Sequence, residues 1–313
     1  MYDIIIIGAG PAGLTAAIYA RRAEKSVLII EKENFGGQIT HSPRVENYPG
    51  FSEISGNELA DKWLEQVMNL GAEIELDEIV KIEGGVGNYR LIGKTKEYES
   101  KTVIIATGAH HRKLGIENED RLEGQGISYC AVCDGAFFRG KTVAVIGGGN
   151  SALVDATLLS DGCEKVYIVQ NLPELTGEQS LQNILYARSN VEIITSSVVD
   201  KILGNESLRG IEIKNVDTAE RRSLTVDGMF VCIGQKPENE AFRDVVGLDD
   251  RGYVISGEDC IPKSDGGIFV AGDCRTKAIR QVTTAVADGA VAALAACKVI
   301  DAGRGLIKFG IRN

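Results

Sequence analysis

The chain opens with Asp3–Ile7, apolar at every position after the aspartate and cut off by Gly8. An unbroken apolar run predicts a parallel strand covered on both faces, since alternation is expected only where one face meets water. Pro11–Arg22 is rich in alanine and predicts a helix, and Val27–Ile30 is the next apolar strand. The order strand, glycine turn, helix, strand returns at Thr142–Ile146, Ser151–Asp161 and Val166–Val169. The two turns start at Gly8 and Gly147, far enough apart to put the units in two domains. Three more apolar strands, Val103–Ala106, Met229–Ile233 and Ile268–Ala271, end at or beside glycine. The alternating stretches Glu73–Ile82, Tyr89–Ile92 and Val191–Leu203 predict antiparallel strands. Leu59, Trp63, Val67 and Leu70 fall at helical spacing and predict a helix over Asn57–Leu70, while Gln281–Val299 predicts a buried helix. The expected class is α/β with two nucleotide-binding, Rossmann-like domains. No low-complexity linker separates them, so the crossings are expected near Arg112–Gly115 and Gln235–Phe242.

Composition narrows the class of partner. A net charge of −10 argues against wholesale attraction to nucleic acid or to an anionic membrane. The first apolar run lacks a basic leader, and no stretch of bilayer-spanning length is expected. Of seven cysteines only Cys130 and Cys133 are close in sequence, which suits a cytoplasmic chain with one redox pair and several structural thiols.

The first turn reads Gly8-Ala9-Gly10-Pro11-Ala12-Gly13. Glycines here permit a tight turn, close backbone approach to a pyrophosphate, and a helix N-terminus facing the anion. Glu31, at the end of the following strand, suits a ribose. The second turn, Gly147-Gly148-Gly149-Asn150-Ser151-Ala152, leads instead to Gln170-Asn171-Leu172-Pro173-Glu174-Leu175. No carboxylate stands at that strand end for the ribose of NAD, and no arginine cluster for the 2′-phosphate of NADP. Either this site is emptied and its fold kept as scaffold, or a nicotinamide cofactor binds through basic residues elsewhere, such as Arg188 or Arg209. Between the turns lies Cys130-Ala131-Val132-Cys133-Asp134, whose thiols can close a small ring and exchange with another disulfide. No second Cys/His cluster completes four zinc ligands, so no metal is expected. Asp134 adjoins the pair, either as a group that moves a proton during thiolate chemistry or as a solvated turn residue before Gly135, and Asp273 reads either as an acceptor for a sugar hydroxyl or as an ordinary turn aspartate. His41, His110 and His111 read as local loop residues without a nucleophile or ligand partner.

Those motifs, with Gly36-Gly37-Gln38, Glu46-Asn47-Tyr48-Pro49-Gly50, Ala106-Thr107-Gly108, Gly272-Asp273 and Arg280-Gln281, occur in an order that resembles the low-molecular-weight, FAD-dependent thioredoxin reductases along nearly the whole chain. The resemblance implies an FAD domain of residues 1–113 and 241–313, with a dithiol domain of residues 114–240 inserted, each a three-layer ββα fold. It implies a homodimer that acts on thioredoxin. It implies FAD contacts from Gly8, Gly10, Pro11, Ala12, Gly13, Glu31, Gly37, Gln38, Asn47, Thr107, Gly108, Asp273, Arg280, Gln281 and Val282. It further implies that Cys133 faces the flavin, that Cys130 attacks the thioredoxin disulfide, and that Asp134 is the acid/base.

One departure concerns the electron donor. NADPH-dependent members carry His-Arg-Arg and a further Arg where this chain has Gln170, Asn171, Leu172 and Thr176. In that respect the chain resembles the ferredoxin-dependent flavin thioredoxin reductases of clostridia. The expected activity is therefore reduction of thioredoxin through FAD and the dithiol, with reduced ferredoxin as donor. The alternatives are an NADPH-dependent thioredoxin reductase, a flavin-dependent dithiol oxidase, and a flavin redox sensor without turnover.

Overall fold

The N-terminal third folds as β1 (Tyr2–Ile7), α1 (Pro11–Arg22), β2 (Val27–Glu31), α2 (Gly56–Asn69), β3 (Glu73–Leu76), β4 (Ile79–Gly85), β5 (Asn88–Gly93), β6 (Glu97–Ile105) and β7 (Ala109–His111). There follow β8 (Ile127–Ser128), α3 (Ala131–Asp134), β9 (Thr142–Ile146), α4 (Asn150–Ser160), β10 (Lys165–Val169), α5 (Gln179–Tyr186), β11 (Val191–Ile194), β12 (Ser197–Leu203), β13 (Gly210–Asn215), β14 (Arg221–Leu224) and β15 (Gly228–Val231). The chain closes with β16 (Gln235–Pro237), β17 (Ile268–Val270) and α6 (Val282–Gly303). This computed structural model describes residues 1–303. They form two units, one of residues 1–110 with 236–303, the other of His111–Gln235.

In the first unit β3, β2, β1, β6 and β17 run parallel, and β4, β5 and the first half of β6 form an antiparallel meander. The sheet is covered on both sides, which explains its continuous apolar strands. Ile4 and Ile6 of β1 pack into one core with α1 and α6, while Ile5 and Ile7 pack into the other with Tyr89, Leu91 and Tyr98 of the meander. The second unit repeats the plan. Its parallel sheet has the order β11-β10-β9-β15-β8, and β12, β13 and β14 form a separate antiparallel layer. Val143 and Val145 of β9 face the core of α4, and Ala144 and Ile146 face the core of the meander. The expected α/β class with two Rossmann-like units is the observed one.

Three expectations need correction. Glu73–Ile82 is two strands: β3 pairs in parallel with β2, and only β4 is antiparallel. The break is Asp77, whose buried carboxylate accepts the Glu78 and Thr95 amides and the Thr95 and Tyr98 hydroxyls, turning the chain out of the sheet. Val191–Leu203 is likewise split, β11 parallel to β10 and β12 antiparallel to β13, at Ser196, which takes a left-handed φ of 47°. Thirdly, α6 is long and apolar enough to cross a bilayer by length and composition, contrary to expectation. Alanine and valine raise its mean hydropathy, yet it packs along α1 and carries the ion-paired Asp288 inside the core.

The α1–α6 crossing is close. A Cβ on Gly289 of α6 would stand 2.2 Å from the Ala12 carbonyl oxygen of α1. Glycine costs a helix interior about 1 kcal/mol relative to alanine, so its presence here answers to packing. Gly289→Val should force the helices apart and lower stability by about 1–3 kcal/mol, as overpacked cores do. A urea midpoint equal to that of the wild type would show that the crossing tolerates a side chain.

Candidate functional site

The first glycine turn separates glycines that the fold needs from one that it does not. Gly8 has φ 108°, and a Cβ there would lie 2.3 Å from the Ala106 carbonyl oxygen. A Cβ on Gly13 would lie 1.9 Å from the Gly8 carbonyl oxygen. Gly10 has an ordinary φ of −77°, and a Cβ on it would meet nothing within 4 Å. The free space at Gly10 adjoins the N-terminus of α1, whose first amides have no partner within the helix and suit an anion. Pro11 and Ala12 follow as the first residues of that helix.

The other expected residues gather on this turn to different degrees. Glu31, at the end of β2, accepts the Ala9 amide at 2.8 Å and the Lys32 and Glu33 amides at 2.8 and 2.9 Å. It therefore orients the loop itself, while Oε2, which accepts only the Ala9 amide, keeps acceptor capacity for a ribose hydroxyl. Gly36 donates to the Ala9 carbonyl at 2.8 Å, and a Cβ on Gly37 would lie 3.1 Å from the Gly10 Cα. Gln38 donates to the Ala109 carbonyl. Thr107 donates to Asn239 at 2.9 Å, and Gly108 takes a left-handed φ of 71°. A Cβ on Gly272 would come within 2.9 Å of the Ala12 Cβ, which brings Asp273 to the glycine turn. Burial pushes the Asp273 carboxyl up, against the pull of the Lys277 and Arg280 charges, and its Oδ1 is buried without a hydrogen-bond partner. Arg280 lies over the Tyr253 ring at 4.2 Å, Gln281 donates its amide to Thr284, and Val282 starts α6. Asn47 is exposed, and no described contact ties it to the turn.

Sequence reasoning missed the groups that hold Asp273 in place. Arg275 is 1% exposed and makes two 2.8 Å bonds to Asp288 of α6. Lys277 donates to the same carboxylate at 2.9 Å, and the Gly272 amide donates to it at 3.0 Å. Asn239, fully buried, joins Thr107 to the Gly252 and Cys274 carbonyls. The available signal for Asp288 was an acid in the middle of an Ala/Val helix; Asn239 offered none.

In the second unit Cys130 and Cys133 form a disulfide across the single turn of α3, their Cα atoms 5.3 Å apart. Cys133 is exposed and Cys130 half-buried, with the Cys130 sulfur accepting the Cys133 amide at 3.2 Å. Burial pushes the Asp134 carboxyl up, opposed by a 2.6 Å hydrogen bond from the Ser128 hydroxyl, which also accepts the Cys130 amide. Cys163, Cys232, Cys260, Cys274 and Cys297 are free thiols.

The second glycine turn is faced by uncharged side chains. Gln170 is 4% exposed, and a Cβ on Gly148 would lie 2.6 Å from its Cδ. The Thr176 and Gly177 amides donate to the Gly148 carbonyl at 2.8 and 2.9 Å. Glu178 accepts from Asn150 at 3.2 Å at the head of α4. Arg188 pairs with Asp161, which caps the opposite end of α4, about 16 Å away for a helix of this length. Arg209 is exposed on the turn between β12 and β13. The histidines are less idle than expected: His110 and His111 lie in β7, His110 is 3.7 Å from Glu238, and His111 stacks on Tyr129.

Residues 2–289 match the pyridine nucleotide-disulphide oxidoreductases. The chain belongs to that family. It is 40% identical to a thioredoxin reductase of Listeria monocytogenes, over 96% of this chain and 94% of the relative. It is 44% identical to a 34.2 kDa protein in the rubredoxin operon of Clostridium pasteurianum, over 95% and 97%. Among solved structures it is similar to thioredoxin reductase from Streptococcus pyogenes MGAS5005, with TM-score 0.92, 40% identity, and 96% and 99% of the chains covered. The ferredoxin-flavin thioredoxin reductase of Clostridium acetobutylicum is a more distant neighbour, at TM-score 0.50 and 33% identity over 95% and 97%. The cofactor is FAD.

The first unit fits that cofactor on its own geometry. The space at Gly10 and the amides of α1 suit the pyrophosphate, and the orphaned Asp273 oxygen suits a sugar hydroxyl. Gly10→Val separates binding from folding, because its Cβ enters space that no described atom of the chain fills. The variant should fold within about 1 kcal/mol of wild type, the scale of an N-cap substitution, yet purify colourless. Full flavin absorbance in the purified variant would refute the assignment of the pyrophosphate to this turn.

Proposed function

We propose that this chain is a thioredoxin reductase whose electrons come from reduced ferredoxin rather than from a pyridine nucleotide. The observation that carries the donor assignment is the set of groups around the second glycine turn: Gln170, Thr176 and Glu178, with Arg188 engaged at the far end of α4. Charge-assisted hydrogen bonds contribute roughly 1.5–3 kcal/mol each, so replacing several cations by neutral or acidic groups weakens NADPH by orders of magnitude. The relative from a rubredoxin operon and the ferredoxin-flavin neighbour support a one-electron protein donor. Bound FAD supplies the store that accepts electrons singly and releases them in pairs. We further assign a homodimer, on the exposed apolar Val291 and Leu294 of α6, and the cytosol, where an opened dithiol persists.

The dithiol chemistry balances without a further reactant. One opened thiolate attacks a sulfur of the thioredoxin disulfide; that S–S bond breaks, and a thioredoxin thiolate leaves and takes a proton. The second cysteine then attacks the mixed disulfide, releasing the other thioredoxin sulfur and restoring Cys130–Cys133. Asp134, held by Ser128 and pushed up by burial, is the acid that supplies the leaving thiolate's proton. The family resemblance gives first attack to Cys130, with Cys133 facing the flavin. Cys133→Ser should accordingly trap a mixed disulfide between Cys130 and thioredoxin, and Cys130→Ser should not; the reverse pattern would give first attack to Cys133.

The donor is tested by anaerobic mixing of the flavoprotein with NADPH, NADH or reduced ferredoxin, followed at the flavin absorbance. Ferredoxin should bleach the flavin and then reduce thioredoxin, more slowly as salt rises if docking is electrostatic. Bleaching and thioredoxin turnover with micromolar NADPH alone would replace the ferredoxin reading by the NADPH-dependent one.

A further inference from the structure

The turn that bears the dithiol is bonded to a carboxylate that the proposed reaction does not use. Asp155 sits in the middle of α4, whose Ala152, Leu153 and Ala156 share a core with Ala131 of α3. Its Oδ2 accepts the Cys232 thiol at 3.1 Å, from the residue after β15. It also takes a hydrogen bond from the backbone amide of Ala131. Ala131 is 2% exposed and directly follows Cys130, so the acid lies one peptide unit from the cysteine-bearing backbone. Three segments thus converge on one side chain.

That convergence matters because α3 is a single turn of four residues. A helix this short is not stable on its own hydrogen bonds, so its geometry depends on what it is tied to. Burial pushes the Asp155 carboxyl up, while the hydrogen bonds from Cys232 and Ala131 pull it down. The Cys232 thiol is raised well above its ordinary range by burial and by Asp155, so it stays a donor. Asp155 is faced by that thiol from the end of β15 and by the Ala131 amide from α3; Asp134, at the other end of α3, is engaged by Ser128.

We infer that Asp155 is a positioning residue for the dithiol: its carboxylate holds the first amide of the cysteine-bearing turn, and its charge disfavours thiolate in the opened pair, making it a stronger reductant. The inference rests on the dithiol carrying electrons to a partner disulfide, as proposed above. A closed disulfide carries no charge. Opening it breaks the S–S bond and adds two electrons and two protons, giving two S–H groups. Groups that stabilise a thiolate favour the opened state, and the Cys133 amide on the Cys130 sulfur is one of them. A nearby carboxylate acts in the opposite sense, raising the thiol pKa and with it the sulfur's intrinsic nucleophilicity.

The test equilibrates the flavoprotein with graded ratios of reduced to oxidised dithiothreitol. The reagent gives up two electrons and two protons as it closes to its ring disulfide. Alkylation and mass analysis of the peptide holding Cys130 and Cys133 then count the opened pair. Asp155→Asn keeps an acceptor for the Ala131 amide but loses the charge, and Asp155→Ser is a second neutral variant should the first fail to fold. Both should open at about a tenfold lower ratio than wild type, a midpoint roughly 30 mV higher. Asp155→Glu should restore the wild-type midpoint. Neutral variants that titrate with the wild type would overturn the inference and leave Asp155 a packing residue. A wild-type pair that opens at no ratio would overturn the dithiol reading itself, so the two failures are distinguishable.

Discussion

Gly13 carries α1 so close to the end of β1 that a Cβ there would stand 1.9 Å from the Gly8 carbonyl oxygen, and Gly8 itself is pressed to within 2.3 Å of the Ala106 carbonyl by the same measure. This closure directs the first amides of α1 outward and leaves the space at Gly10 that a pyrophosphate can enter. It also fixes where Ala12 lies, and therefore where Gly289 of α6 and Gly272 can approach it. The cradle is thus a consequence of backbone contacts rather than of a cluster of polar side chains. Glu31 contributes by bonding the Ala9 amide, a structural task that precedes any contact with a ribose.

The far wall of the cradle is set by charge. Arg275, Lys277 and Asp288 are buried together, and removing one partner of such a group costs about 3–5 kcal/mol because the others are left uncompensated. Their pairing holds the segment from Gly272 to Lys277 in one geometry. Asp273 then carries one buried oxygen unsatisfied, a cost that a cofactor hydroxyl would remove.

The second unit shows how little of such a scaffold a cofactor needs changed. Its sheet, its glycine turn and the close approach of Gly147 to the Cys232 carbonyl are those of a nucleotide-binding domain. Recognition of a nicotinamide nucleotide depends on a few charged groups near the strand end, where this chain has the uncharged Gln170, Asn171, Leu172 and Thr176. The fold persists because its hydrophobic layers do not depend on those groups. The same unit carries a dithiol turn tied to α4 through Asp155, which also accepts the thiol of Cys232 after β15.

Much of this was written in local sequence. Parallel strands covered on both faces must be apolar at every position, so Ile4–Ile7 and Val143–Ile146 were legible, as were the turns whose glycines sit within a few residues of the contacts that require them. The cysteine pair was legible for the same reason, since its partners are three residues apart. Alternation along Glu73–Ile82 and Val191–Leu203 could not name the partner strand, and it hid breaks made by Asp77 and Ser196, whose causes lie in side-chain bonding and backbone conformation. Asp288 showed only as an acid in an apolar helix, and Asn239 and Asp155 were beyond reach, because a polar residue becomes functional only through partners brought from distant parts of the chain. Sequence by itself determined the layers, the turns and the dithiol; tertiary structure alone decided which buried charges are paired, which oxygen is left open, and what anchors the turn that carries the cysteines.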